Sequence, residues 1–154
     1  MIQRIQTIYL LIATLIIGTL FYVPYAEISN GMGAIYCFDA KGFYPESAPN
    51  AGLIMTSMPI VVLCAISVLF ILVTIFQFKN LARQATFSRI NILILIILLG
   101  LISYDVWKCT KLITGSYSMK IALAFPLIAM VLIYMALKAI KKDEQLLKSI
   151  NRIR

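Results

Sequence analysis

Histidine is absent from all 154 residues. The side chain that most often moves protons near neutral pH, and most often ligates metals, is therefore missing. Cysteine is scarce, and Cys37, Cys64 and Cys109 fall in no CxxC spacing, which removes the usual paired-thiol metal and redox signatures. Acids are outnumbered by bases, 6 against 14, and charged residues make up only 13% of the chain. No Gly-rich phosphate loop, nucleophile–base pair or metal-ligand spacing can be read. These absences predict a protein that is not an enzyme and takes no cofactor and no metal. The net charge of +8 does not point to nucleic acid, because the basic residues flank apolar runs, where membrane sorting and anionic lipid account for them.

What the chain has in excess is apolar residues, 62% of the total against the roughly 45–50% of soluble domains. Ile90 to Trp107 is the clearest run, with Asn91, Ser103 and Asp105 as its strongly polar members. As a helix it would extend about 27 Å, close to the ~30 Å hydrocarbon core of a bilayer. Tyr104 and Trp107 mark one end, where amphipathic rings prefer the boundary with water. Three more runs flank it: 5–23, 53–78 and 119–138. The first is expected to be a retained helix rather than a cleaved signal, because cleavage after Ala26 would put Pro24 where a small residue is wanted.

The fold class expected is an all-α membrane protein, one domain over 1–154, built as an antiparallel four-helix transmembrane bundle. The loop 25–52 predicts a small β-ribbon, with strands at 25–29 and 34–38, a turn at 30–33, and a second turn at 39–42 before Phe43-Tyr44. Short polar connections are expected at 79–89 and 108–118, and a kink at Pro126. Residues 139–154 read as an amphipathic helical tail, with Ile140, Leu147, Ile150 and Ile153 at helical spacing. Basic residues divide ten to four in favour of the side that holds both termini and the 79–89 connection, so both ends are expected in the cytoplasm.

Few residues stand out as functional. Asp105 is expected to pair with Lys108 at the membrane boundary, a structural ion pair rather than an ion site. Asn91 and Gln77 are expected at span ends, satisfied by water and headgroups. Cys37 and Cys109 fall on the same side and form a candidate disulfide, with two unbonded thiols as the alternative. Thr14, Gly18 and Gly100, and Ala122, Ala129 and Ala136 at intervals of seven, are candidate close-packing positions. In the tail, Lys141, Lys142, Leu147, Lys148, Ile150 and Arg152 are candidate contacts to lipid or a partner.

The opening MIQRIQTIYLLIA, the stretch SRINILILIILL and the ending ALKAIKKDEQLLKSINRIR together resemble a family of small bacterial integral membrane proteins catalogued only as a domain of unknown function. The resemblance implies four helices in a bacterial inner membrane and carries no activity and no catalytic residues. A looser likeness, of shape alone, is to claudin-type four-helix proteins, whose loop tryptophan and paired loop cysteines this chain lacks. Function is expected to be an accessory or scaffolding role in a larger inner-membrane assembly, with other membrane proteins and the lipid bilayer as partners. The alternative is a carrier or binder of a lipid or small apolar molecule, in a cleft opened near Pro126. Oligomeric state is left open.

Overall fold

The computed structural model describes residues 3–30, 33–47, 53–77, 80–113 and 115–152. The centre of the expected 30–33 turn, Pro49, Lys79, Ile153 and Arg154 lie outside the described residues, as do the side chains of Lys148, Ile150 and Arg152. Four α-helices carry the chain: α1 (Gln3–Thr19), α2 (Met58–Phe76), α3 (Leu81–Ile113) and α4 (Phe125–Arg152). They pack in the ring α1–α2–α3–α4–α1, with the α1–α4 contact the most extensive.

Apolar residues lie on both sides of that ring. Leu10, Ala13 and Ile17 of α1 meet Ala129, Ile133 and Ala136 of α4 in an interior closed to solvent, and Leu95, Leu98 and Ile102 of α3 complete it. The outward faces are also apolar: Leu15, Leu69, Phe76, Leu93 and Val131 are all more than half exposed. Helices apolar all round belong in lipid rather than water. Among the described residues, the helical stretches Met58–Phe76, Leu81–Ile113 and Ile121–Leu147 are long and apolar enough to cross a membrane, while the apolar part of α1, Ile5–Thr19, is shorter.

Several expected boundaries move. The run 90–107 is the middle of the 33-residue α3, not a whole helix. Asn80 Oδ1 accepts the Arg83 backbone N–H at 3.3 Å, a helix cap, and the following Leu-Ala-Arg-Gln-Ala favours helix despite its polarity. The expected connection at 79–89 is therefore mostly the start of α3. Pro126 kinks nothing. A 3₁₀ turn at Ile121–Ala124 precedes α4, and Pro126 is the second residue of α4, where the missing N–H has no helical partner to lose. Pro59 occupies the same place in α2.

The ribbon is larger than expected. Strands β1 (Ala26–Ser29), β2 (Ile35–Phe38) and β3 (Gly42–Pro45) form where the alternation predicts them. Two more join: β4 (Met55–Thr56), from residues expected to begin a span, and β5 (Ser116–Met119), from the expected second connection. The antiparallel order is β4-β3-β2-β1-β5. One face is apolar and sealed, with Ala26, Ile28, Phe38 and Phe43 buried, Tyr25 edge-on to Phe38 and Tyr36 stacked on Phe43. The Tyr25 hydroxyl donates to the Leu20 carbonyl at 2.8 Å, tying the sheet to the end of α1, and burial pushes that hydroxyl well above the ordinary phenol range. Gly42 is required at the β3–β4 crossing: its φ is +146°, and a Cβ there would sit 2.1 Å from the Met55 carbonyl oxygen.

Of the close-packing residues, Ala122, Ala129 and Ala136 are all fully buried. Gly18 and Gly100 are not close-approach points, since a Cβ at either would meet nothing within 4 Å. Thr14 donates to the Leu10 carbonyl of its own helix.

Candidate functional site

The sheet end of the molecule holds most of the residues that could do chemistry. Cys37 and Cys109 are both there, yet both are free thiols, so the candidate disulfide is not formed. Cys37 sits in β2 opposite Glu27 and Tyr44, while Cys109 Sγ faces Met55 Sδ at 4.0 Å from α3. Asp105 and Lys108 do not close into an ion pair. Lys108 lies near enough for its charge to act on the carboxylate, and Ser57, whose hydroxyl has no hydrogen bond of ordinary geometry among the described residues, lies beside it. The ion pair at this end joins Glu27 to Lys120, with Nζ to Oε1 at 2.5 Å. That hydrogen bond holds the Lys120 ammonium above its usual range.

Along the rest of the sheet face, Asp39 caps the turn into β3. Its Oδ1 accepts the backbone N–H of Lys41 at 2.7 Å and of Gly42 at 3.1 Å, and Tyr44 donates to its Oδ2 at 3.2 Å. Burial, helped by the Asp39 charge, pushes the Tyr44 hydroxyl up to about 12. Cys37 is also pushed up, first by burial and then by Glu46 and Glu27. One ligand atom from each of Glu27, Cys37 and Glu46 lies within 4.8 Å of the others.

Beside the sheet a cleft opens between α3 and the start of α4. Its first part, about 210 Å³, is bounded by Ser103 and Trp107 of α3, Tyr117 and Met119 of β5, and Leu123 of the 3₁₀ turn, over a floor of Val106. A neighbouring hollow of about 310 Å³ shares Ser103, Met119 and Leu123 and continues to Leu99 and Leu127. The two make one groove of almost wholly apolar lining. Trp107, Tyr117 and Met119 are each more than half exposed at its rim, and Lys111 lies 4.1 Å over the Trp107 ring. The groove runs from Trp107 and Tyr117 at the sheet end toward Leu99 near the middle of α3 and Leu127 in the first turn of α4.

At the opposite end the helix interior is polar. Asn91 is buried, not at a wetted span end, and Ser67 donates to its Oδ1 at 2.7 Å. Gln84 and Ser88 are buried on the same face of α3. Gln6 donates to a buried Asp143, so the tail begins inside the bundle: Ile140 and Asp143 face inward, and Lys141, Lys142 and Leu147 face out. Gln77 caps the end of α2.

Sequence reasoning missed Glu27–Lys120, Gln6–Asp143 and the convergence of Glu27, Cys37 and Glu46. The alternation across 25–46 held a usable signal, since facing strands at Glu27, Cys37 and Tyr44 share a side. Nothing local marks Lys120 or Asp143 as a partner of Glu27 or Gln6, the latter pair being 137 positions apart.

A family model described as "Domain of unknown function (DUF4293)" matches residues 2–153, which is nearly the whole chain. No curated protein matches it.

Proposed function

We propose, for a chain that belongs to the DUF4293 family, a non-catalytic membrane protein that binds a lipid acyl chain or a small apolar molecule in the groove between α3 and α4. The observation that carries this reading is the groove itself. It is apolar, it lies between α3 and the start of α4 beside the sheet edge at β5, and aromatic rings stand at its sheet end. Ligand sites of this kind are concave and mostly apolar, with polar groups only at the edge. Ser103 and Lys120 are the polar groups in reach.

In this reading the chain crosses a bacterial inner membrane four times, α1 being the fourth span. Its 17 residues extend about 25 Å, enough with the following turn and modest thinning of the bilayer. Both termini and the polar helix ends face the cytoplasm, following the excess of basic residues, and the sheet faces outward.

The test is native mass spectrometry of the protein released from native membranes in mild detergent. The reading expects a retained lipid or apolar adduct that Leu123→Trp, which fills the groove, removes. A protein that carries no adduct, or whose adduct is unchanged in Leu123→Trp, contradicts it.

A second reading, an accessory or scaffolding subunit, rests on a separate observation. β5 is the edge of the sheet with all four residues exposed, and Leu146 and Leu147 are exposed at the far end of α4. An open edge strand is a template for an added strand. Crosslinking in native membranes through Tyr117 and Leu147 would capture a defined protein partner if this reading holds.

A further inference from the structure

We propose that Glu27, Cys37 and Glu46 form a divalent metal site, suited to Zn²⁺, on the outward face of the sheet.

The register builds the site. Glu27 of β1 pairs with Cys37 of β2, and residues directly opposite one another project to the same side. Cys37 pairs in turn with Tyr44 of β3, and Glu46 lies two positions further on, which returns it to that side. The other side carries Phe38 and Phe43 into the core. Three ligands of two types, from three consecutive segments, thus meet on the polar side, each offering one atom within 4.8 Å of the others.

Cys37 carries the second line of argument. Its residue is 8% exposed, and its thiol is free and without a hydrogen-bond partner among the described residues. Glu46 likewise has neither a hydrogen bond to its carboxylate nor an ion pair among the described residues. Glu27 uses one oxygen for Lys120, at 2.5 Å, and keeps the other. The cluster is a thiol and two carboxylates with open valence, held against a sheet.

The donor set selects the ion. A thiolate is a poor ligand for Ca²⁺ or Mg²⁺, whereas Zn²⁺ accepts sulfur and carboxylate oxygen together. Tetrahedral Zn²⁺ with Zn–S near 2.3 Å and Zn–O near 2.0–2.2 Å places neighbouring ligand atoms about 3.5 Å apart. The three atoms must therefore draw in by about 1 Å, a movement within reach of the exposed Glu46 side chain. A fourth position is left for water. Charge also fits: a dication, two carboxylates, one thiolate and the Lys120 ammonium sum to zero. On binding, the S–H bond of Cys37 breaks, sulfur bonds the metal, and the proton leaves to solvent.

The experiment uses the full chain in mild detergent, stripped with a chelator, titrated with Co²⁺ as a visible stand-in and then competed with Zn²⁺. One equivalent of Co²⁺ is expected to give a thiolate-to-cobalt charge-transfer band that Zn²⁺ abolishes. Cys37→Ser should remove the band, and a Cys64→Ala/Cys109→Ala variant should keep it. Glu46→Gln, at an exposed position that folding does not need, should weaken binding by about tenfold or more, with helical circular dichroism unchanged. No saturable binding by the natural sequence, a band that survives Cys37→Ser, or an affinity unaltered in Glu46→Gln would each overturn the site.

Discussion

Asn91 is 1% exposed among apolar helices; among the described residues Ser67 alone meets its oxygen, and its Nδ2 has no partner. The Ser67–Asn91 bond at 2.7 Å is therefore a between-helix tie whose loss leaves an amide stranded. Hydrogen bonds of this kind in membranes contribute on average about 0.6 kcal/mol and at most about 1.7. Ser67→Ala should destabilise the α2–α3 contact by about that range in a denaturing-detergent titration. Adding Asn91→Leu to it should restore most of the loss, because the stranded polar group goes too. An amide near a span end looks as if water serves it, and only the position of α2 shows that a serine does. Side-chain partners that lie far apart in the chain, such as Gln6 with Asp143 or Glu27 with Lys120, leave no local trace either.

Elements were legible where hydropathy or alternation is strong, and misjudged at their ends. The centres of α1, α2 and α3 fall inside the apolar runs, α4 continues well past its run into the expected tail, and β1 and β2 fall within a residue of the alternating stretches. The start of α3 is hidden in the sequence because its polar residues mimic a connection. Helices end at a lost cap or a proline rather than at a charge, and no proline or glycine interrupts residues 81–99. β5 was hidden for another reason: Ser116–Met119 becomes a strand only because β1, almost ninety residues earlier, offers its edge. At the β3–β4 crossing, Gly42→Ala puts a Cβ onto the Met55 carbonyl and forces a left-handed φ on alanine. That change should cost about 1–3 kcal/mol. Limited proteolysis should then cut between Ser47 and Ser57 several times faster than in the natural sequence, with α3 and α4 intact. Within the groove, Val106→Trp fills the floor from α3 as Leu123→Trp does from the 3₁₀ turn. Both should exclude the same adduct if the groove is the binding place.

At the scale of the whole molecule, the exterior decides the reading of the interior. Outward faces carrying Leu15, Leu69, Phe76, Leu93 and Val131 cannot stand in water, so lipid is the solvent of the helices and the sheet and the helix ends are what meets water. The proposed orientation rests on the excess of basic residues at the helix ends that hold both termini. Ser149→Cys should resist a membrane-impermeant maleimide in intact cells, and Ser118→Cys should react; the reverse pattern would invert the molecule. The mostly helical, apolar character of this chain was its most legible property, because bilayer thickness imposes a length on apolar runs; three of the four helices reach that length. The groove was the least legible, because it is a property of packing between α3, β5 and the turn before α4, not of any motif.

That groove is the central claim. A fatty acid carrying a photoactivatable diazirine, incorporated into native membranes, illuminated and mapped by peptide sequencing, measures directly where an acyl chain resides. Label concentrated within residues 99–107 and 117–127, and competed away by excess unlabelled lipid, is the result predicted. Label spread evenly over the outward faces of α1, α2 and α4, and indifferent to competition, would show lipid acting only as solvent and would contradict the account.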